Sequence, residues 1–454
     1  MFKYLIVVVL FCFLSAPAFS QTDTISYTRQ HGLFNKFVSD SQRFNLHFQM
    51  TYINQTKEKM RALYSGPYSL QAAKENQNSV TATAFLGVKL WKGAAFFINP
   101  EIAGGSGLSG AQGMGGAPNG ETFRVGNPSP QLYLARGYLE QTISLNSKTE
   151  EQSDDENQLE EPVPVNYLKF TVGKYSLADM FDNNEYSNTP RTQFLNWSLM
   201  NNGSWDFAAN VRGYTYIATA ELDYGFLNYK YSISSLPVVA NGAELNTHLN
   251  QELAMNAQIT ATYNIKKYPG HASVLYFNNK ADMGSYQEAI DIAKETNTTP
   301  DIIATRLRGR HKYGFGLNFD QALPNTFGLF GRVGYNDGKN ETWNFTEIDK
   351  TASLGISTTG TKWSRAEDNI GLAFVANGLS AVHREYLAMG GNGFILGDGK
   401  LNYAPECITE LYYSFKPTSK PLWITGDYQF ALHPGYNKDR GPANFLSIRV
   451  HTEF

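Results

Sequence analysis

Between Tyr175 and Phe207 the chain reads YSLADMFDNNEYSNTPRTQFLNWSLMNNGSWDF, a run that mixes carboxylates, amides, one guanidinium and two indoles. Such groups recognise polyhydroxylated solutes. Carboxylate, amide and guanidinium make paired hydrogen bonds to neighbouring hydroxyls, and aromatic rings cover the apolar face of a sugar ring. Asp179, Asn183, Asn184, Arg191, Asn201 and Asn202 supply the polar edge, and Trp197 and Trp205 the rings. Singly, each is more often spent on nearby backbone, so it is the set that points to a ligand.

A second chemistry is suggested by GHAS, which puts His271 and Ser273 two residues apart on one strand face, as a barrel phospholipase would. The sequence assigns them no acid or amide partner, and the non-enzymatic reading is preferred. The acidic run at 146–165, NSKTEEQSDDENQLEEPVPV, lacks the spaced D-x-[DN]-x-[DN]-G loop of a calcium site, and no metal or cofactor is expected.

Something must hold these residues in place. Segments of about ten residues with period-two alternation recur along the chain, the length a tilted strand needs to cross a bilayer. Sixteen are read: 44–53, 80–91, 94–103, 132–144, 166–174, 213–222, 226–234, 252–264, 271–278, 311–320, 326–335, 343–356, 367–376, 407–416, 422–432 and 444–454. In HKYGFGLNFD, Tyr313, Phe315, Leu317 and Phe319 oppose Lys312, Gly314, Gly316, Asn318 and Asp320. The last strand, FLSIRVHTEF, splits the same way and ends with Phe454 at the membrane interface, where an aromatic ring is favoured. Connections alternate between tight turns, such as those at Lys92, Asp223, Lys266 and Leu323, and long loops. The expectation is an all-β fold, a transmembrane antiparallel β-barrel of 16 strands with short periplasmic turns and long extracellular loops.

Inward parity then adds Arg136, Tyr138, Glu140 and Lys169 to the lumen wall, with Glu221 from the sixth strand. Opposed charges across a pore orient a polar solute and set ion preference. Arg212 falls on the lipid side by strict alternation, so its place depends on where the sixth strand starts. A helix is expected over 284–297 within an external loop, its Ile290 and Ala293 covering the barrel mouth. The acidic run is expected to be a solvated, disordered periplasmic excursion.

The first twenty residues, MFKYLIVVVLFCFLSAPAFS, have the basic start, short apolar core and small-residue end of a secretory leader. The expected organisation is 1–20 signal peptide, 21–43 periplasmic segment, and 44–454 barrel with an inward-folded loop at about 175–212. Of two cysteines, Cys12 leaves with the leader and Cys407 has no partner for a disulfide. A formal charge of −3 argues against nucleic acid as a partner.

Three stretches, GKYSLADMFDNNEYSNTPRTQFLNWSLMNNGSWDFAANVRGYT, HREYLAMGGNGFILGDGKLNYAPECITELYYSF and PGYNKDRGPANFLSIRVHTEF, resemble the carbohydrate-selective porin family, the OprB type. The similarity runs from about Asn45 to Phe454. It implies a sixteen-stranded outer-membrane barrel that passes glucose-like monosaccharides by passive diffusion, with the third loop folded inward at the constriction. It gives added weight to Asp179, Asn183, Asn184, Arg191 and Trp197. The acidic insertion departs from the compact turn expected of the family. Sugars and outer-membrane lipids are the expected partners, as a monomer or a homotrimer, and a general diffusion pore without sugar preference is the alternative.

Overall fold

The computed structural model describes residues 42–122, 129–248 and 252–454. The expected leader and nearly all of the segment that follows it lie outside the described residues. Within them, sixteen strands pair antiparallel into one closed barrel. The first four are β1 (Phe44–Lys57), β2 (Glu75–Trp91), β3 (Ala94–Gly105) and β4 (Gln131–Ser144). A separate two-stranded hairpin follows, β5 (Thr149–Gln152) and β6 (Glu161–Pro164). The barrel resumes with β7 (Asn166–Tyr175), β8 (Thr215–Tyr224), β9 (Leu227–Ser234), β10 (Leu253–Ile265), β11 (Tyr268–Ala281) and β12 (Arg310–Ala322). It is completed by β13 (Phe327–Asn336), β14 (Lys350–Gly360), β15 (Arg365–Gly378), β16 (Glu406–Phe415), β17 (Leu422–Leu432) and β18 (Ala443–Glu453).

Closure leaves no unpaired edge facing hydrocarbon, where an unsatisfied amide costs several kcal/mol. β1 meets β18 in register from Gln49↔Glu453 to Lys57↔Phe445. Phe454 extends that seam: its ring stacks on Phe48 at 6.4 Å and its amide N–H donates to the Phe48 carbonyl at 2.8 Å. The two faces of each strand differ as alternation requires. On β1, Phe44, Leu46, Phe48, Met50 and Tyr52 are exposed to the outside, while Asn45, Gln49, Thr51 and Gln55 are buried within.

Several strand ends differ from the sequence reading, among them β1, which runs on to Lys57, and β2, which starts at Glu75, and two of the differences move side chains that matter. The strand expected over 343–356 begins at Lys350, because Trp343 and Asn344 donate their backbone N–H groups to the Asp206 carboxylate at 3.0 and 2.9 Å. The strand expected from 213 begins at Thr215, which leaves Arg212 outside it, its guanidinium over the Tyr133 ring at 4.1 Å.

Among the described residues three α-helices interrupt the loops: α1 (Trp197–Met200), α2 (Tyr286–Thr296) and α3 (Ala381–Ala388). Ser285 caps α2 through its side chain, and left-handed Asn297 ends it. Its buried face includes Ile290 and Ala293 and packs with α3 through Tyr286, Ala289 and Ile290, and Tyr286 stacks on His383 at 4.2 Å. α2 and α3 lie in the long loops that join β11 to β12 and β15 to β16.

The acidic run is not a disordered excursion. Thr149 to Gln152 pairs with Glu161 to Pro164, and the tip between them folds back against the barrel's inner wall. Its carboxylates are not left to solvent alone: Asp154 accepts from the side chains of Asn45 (2.7 Å) and Gln42 (2.6 Å). Partners more than a hundred residues away order it, and no local pattern announces them.

A charged constriction inside the barrel

The segment 176–214 leaves β7 and reaches β8 without leaving the lumen. It is clamped from several walls at once. On β13, Arg332 meets the Asp182 carboxylate at 3.0 Å and donates to the carbonyls of Ser187 (2.6 Å) and Leu199 (2.8 Å). On β18, Arg449 donates to the carbonyls of Pro190 and Gln193, both at 2.7 Å. On β16, Glu410 accepts the backbone N–H groups of Leu195 and Asn196. An irregular backbone at membrane depth is tolerated because wall side chains satisfy it.

The near wall contributes the opposed charges. Arg191 donates to Glu101 of β3 and to Glu121, both at 2.9 Å, and to the Thr83 hydroxyl at 3.0 Å. Tyr214 and Tyr133 hydroxyls also donate to Glu101. One register step away, Arg136 of β4 grips Asp179 through two parallel bonds of 2.6 and 2.7 Å. This fork geometry makes charge-assisted pairs both strong and directional. Nearer the periplasm, Lys230 lies 3.7 Å from Glu221, which Lys169 faces in register on β7, and Glu140 stands half-buried on β4.

The expected site residues divide. Asp179 and Asn183 are exposed to the lumen, and Arg191 and Trp197 are half-buried at its edge. Trp197 stacks on Phe207 at 6.0 Å and leans on Phe345 at 5.1 Å. Asn184, Asn201, Asn202 and Trp205, by contrast, are 5% exposed or less. They cannot reach a solute. Asn184 donates to Asn318 at 2.7 Å, Asn202 to the Val333 carbonyl at 3.1 Å, and Trp205 Nε1 to Asn256 at 3.0 Å. A loop folded into a cylinder must satisfy its own polar groups, and the side chains of Asn184, Asn202 and Trp205 join that internal fabric, while the Asn201 amide is buried without a hydrogen-bond partner among the described residues.

Residues that the sequence reading passed over do equal work. Glu101, Arg332, Glu410 and Arg449 all point inward by strand parity, and a charged side chain on the inner face at mid-strand was the signal that could have found them. Glu121 sits in a loop and gave no such signal. His271 has an acid partner after all, Asp320 at 2.8 Å. Among the described residues no hydrogen bond joins it to Ser273, and both face the lumen rather than lipid.

Compared with known proteins, the chain matches the family model described as "Carbohydrate-selective porin, OprB family" over residues 72–454. Pseudomonas putida OprB, in its high-pH structure, is similar with a TM-score of 0.67 at 14% identity, over 91% of this chain and 94% of that one. The outer membrane channel DcaP of Acinetobacter baumannii is similar with a TM-score of 0.51 at 10% identity, over 90% and 97% of the respective chains. At such identities these likenesses speak to the fold alone. Comparison with curated proteins gives no match.

Proposed function

The chain belongs to the carbohydrate-selective porin family of the OprB type and is an outer-membrane channel, and from that premise we propose that it passes glucose-like monosaccharides into a Gram-negative cell by passive diffusion. The observation that carries the reading is the lumen segment 176–214, tied to the wall by Arg191 and Asp179, which lines the passage with both signs of charge beside the Trp197 ring. The exposed carboxylate of Asp179, the Asn183 amide and the guanidiniums of Arg136 and Arg191 offer hydroxyl-binding edges. Glu140 and Lys169 continue them towards the periplasm, with the buried Glu221 carboxylate holding Lys230 behind them. Binding must be weak, since a solute held tightly does not leave.

Liposome swelling tests the selectivity. Glucose should enter faster than a non-sugar solute of matched size; equal rates would reduce the protein to a size-limited pore. Trp197→Ala should weaken sugar block of ion current about fivefold, the loss of roughly 1 kcal/mol of ring contact. Block unchanged in that variant would remove the ring from the site.

A further inference from the structure

The inner face of β3 works as a ruler, because its odd-numbered residues all point into the barrel. Read upward from the periplasmic turn at Gly93, they are Ala95, Phe97, Asn99 and Glu101. Leu159, at the tip of the acidic hairpin, is buried against Ala95, Phe97 and Tyr138. Asn157, in the left-handed conformation at φ 56°, exchanges side-chain hydrogen bonds with Asn99 at 2.8 and 3.2 Å. Glu101, the next step up, already holds Arg191 of the lumen segment.

The hairpin therefore climbs from the periplasmic rim to Asn99, one inward-facing step below the Glu101 that holds the descending loop. Six residues separate Gly93 from Asn99, about 20 Å of strand. With the usual tilt of ~40° that is roughly 15 Å of height, more than half of an apolar band ~25 Å tall. The hairpin is held from the β1–β2 side as well. Asn45 of β1 donates to the Asp154 carboxylate and to the carbonyls of Asp155 (2.8 Å) and Gln158 (2.9 Å); Lys89 of β2 pairs with Glu161 at 2.5 Å.

We propose that the 146–165 hairpin is a second, periplasmic constriction of the channel, which covers the β1–β4 wall and confines passing solutes to the β7–β12 wall. On that open side Lys169 and Lys230 are half-buried and the His271 side chain is 44% exposed, so these groups face a passing solute. The proposal needs a channel but no sugar preference, so it stands or falls apart from the selectivity above.

The test replaces 146–165 by Asn-Gly, since Leu145 already donates its N–H to the Asn166 carbonyl at 3.0 Å and a two-residue turn suits that register. Single-channel conductance in planar bilayers should rise about twofold. In a Cys407→Ala background, Ala95→Cys should react with a water-soluble thiol reagent when the hairpin is deleted and resist it when the hairpin is present. Failure of either reading to change overturns the proposal. Should the deleted barrel not assemble, judged by heat-modifiable mobility, the double variant Asp154→Asn, Leu159→Ala decides by the same two readings, since it frees the tip at unchanged chain length.

Discussion

Arg191 donates to two carboxylates and a hydroxyl at once, and its removal would leave Glu101 wholly buried without its countercharge. Stranding a buried charge in this way costs about 3–5 kcal/mol. Arg191→Ala should therefore detach the lumen segment from β3 and raise single-channel conductance while the barrel still runs as a folded band before heating. Arg191→Lys, which keeps the charge and loses the fork, should fall between the two. Conductance equal to that of the unaltered protein would show that Arg191 does not hold the loop. Residue type marked Arg191 and Asp179 as candidates, and both stand at the lumen, although the same type in the same run also gives Asp182, which is buried against Arg332. It misled for Trp205 and Asn202, because nothing local distinguishes an indole facing water from one buried against the opposite wall.

At the scale of elements, the hairpin formed by β5 and β6 is where pH should act. Burial pushes the Asp154 carboxyl up, but hydrogen bonds from His47, Gln42 and Asn45 outweigh that and hold it below the ordinary carboxylate range. A depressed folded value means that the stabilisation is present above the unfolded value, about 3.9, and is lost as pH falls through the folded one. Hydrogen-exchange protection across 149–164, taken relative to the intrinsic amide rate at each pH, should be lower at about pH 3 than at pH 6, with the barrel strands still protected; equal protection at both would deny Asp154 its part in docking. The strands themselves were readable, because each carries its own alternation. The hairpin's seat was not: Asn45 and Asn99 lie far away in the chain, and a run of carboxylates looks the same whether solvated or docked.

For the molecule as a whole, the testable premise is that one face of every strand dissolves in hydrocarbon. Leu317 lies mid-strand on β12 with its side chain outward and 53% exposed. Leu317→Arg should lower unfolding stability in lipid vesicles by about 2–4 kcal/mol, as a charge near the bilayer midplane does. A loss no larger than that of a loop substitution such as Ile303→Arg would put that face in water.

The sequence by itself determined the number of barrel strands, the side that residues within them face and the alternation of short and long connections. These follow from a period of two and from turn chemistry, which are properties of neighbours along the chain. Only the tertiary structure decided what fills the cylinder: which carboxylate meets Arg191, which indole is buried, and that the acidic hairpin turns inward. Those outcomes depend on contacts between groups far apart in sequence, selected because polar groups shut inside a barrel must find partners across it.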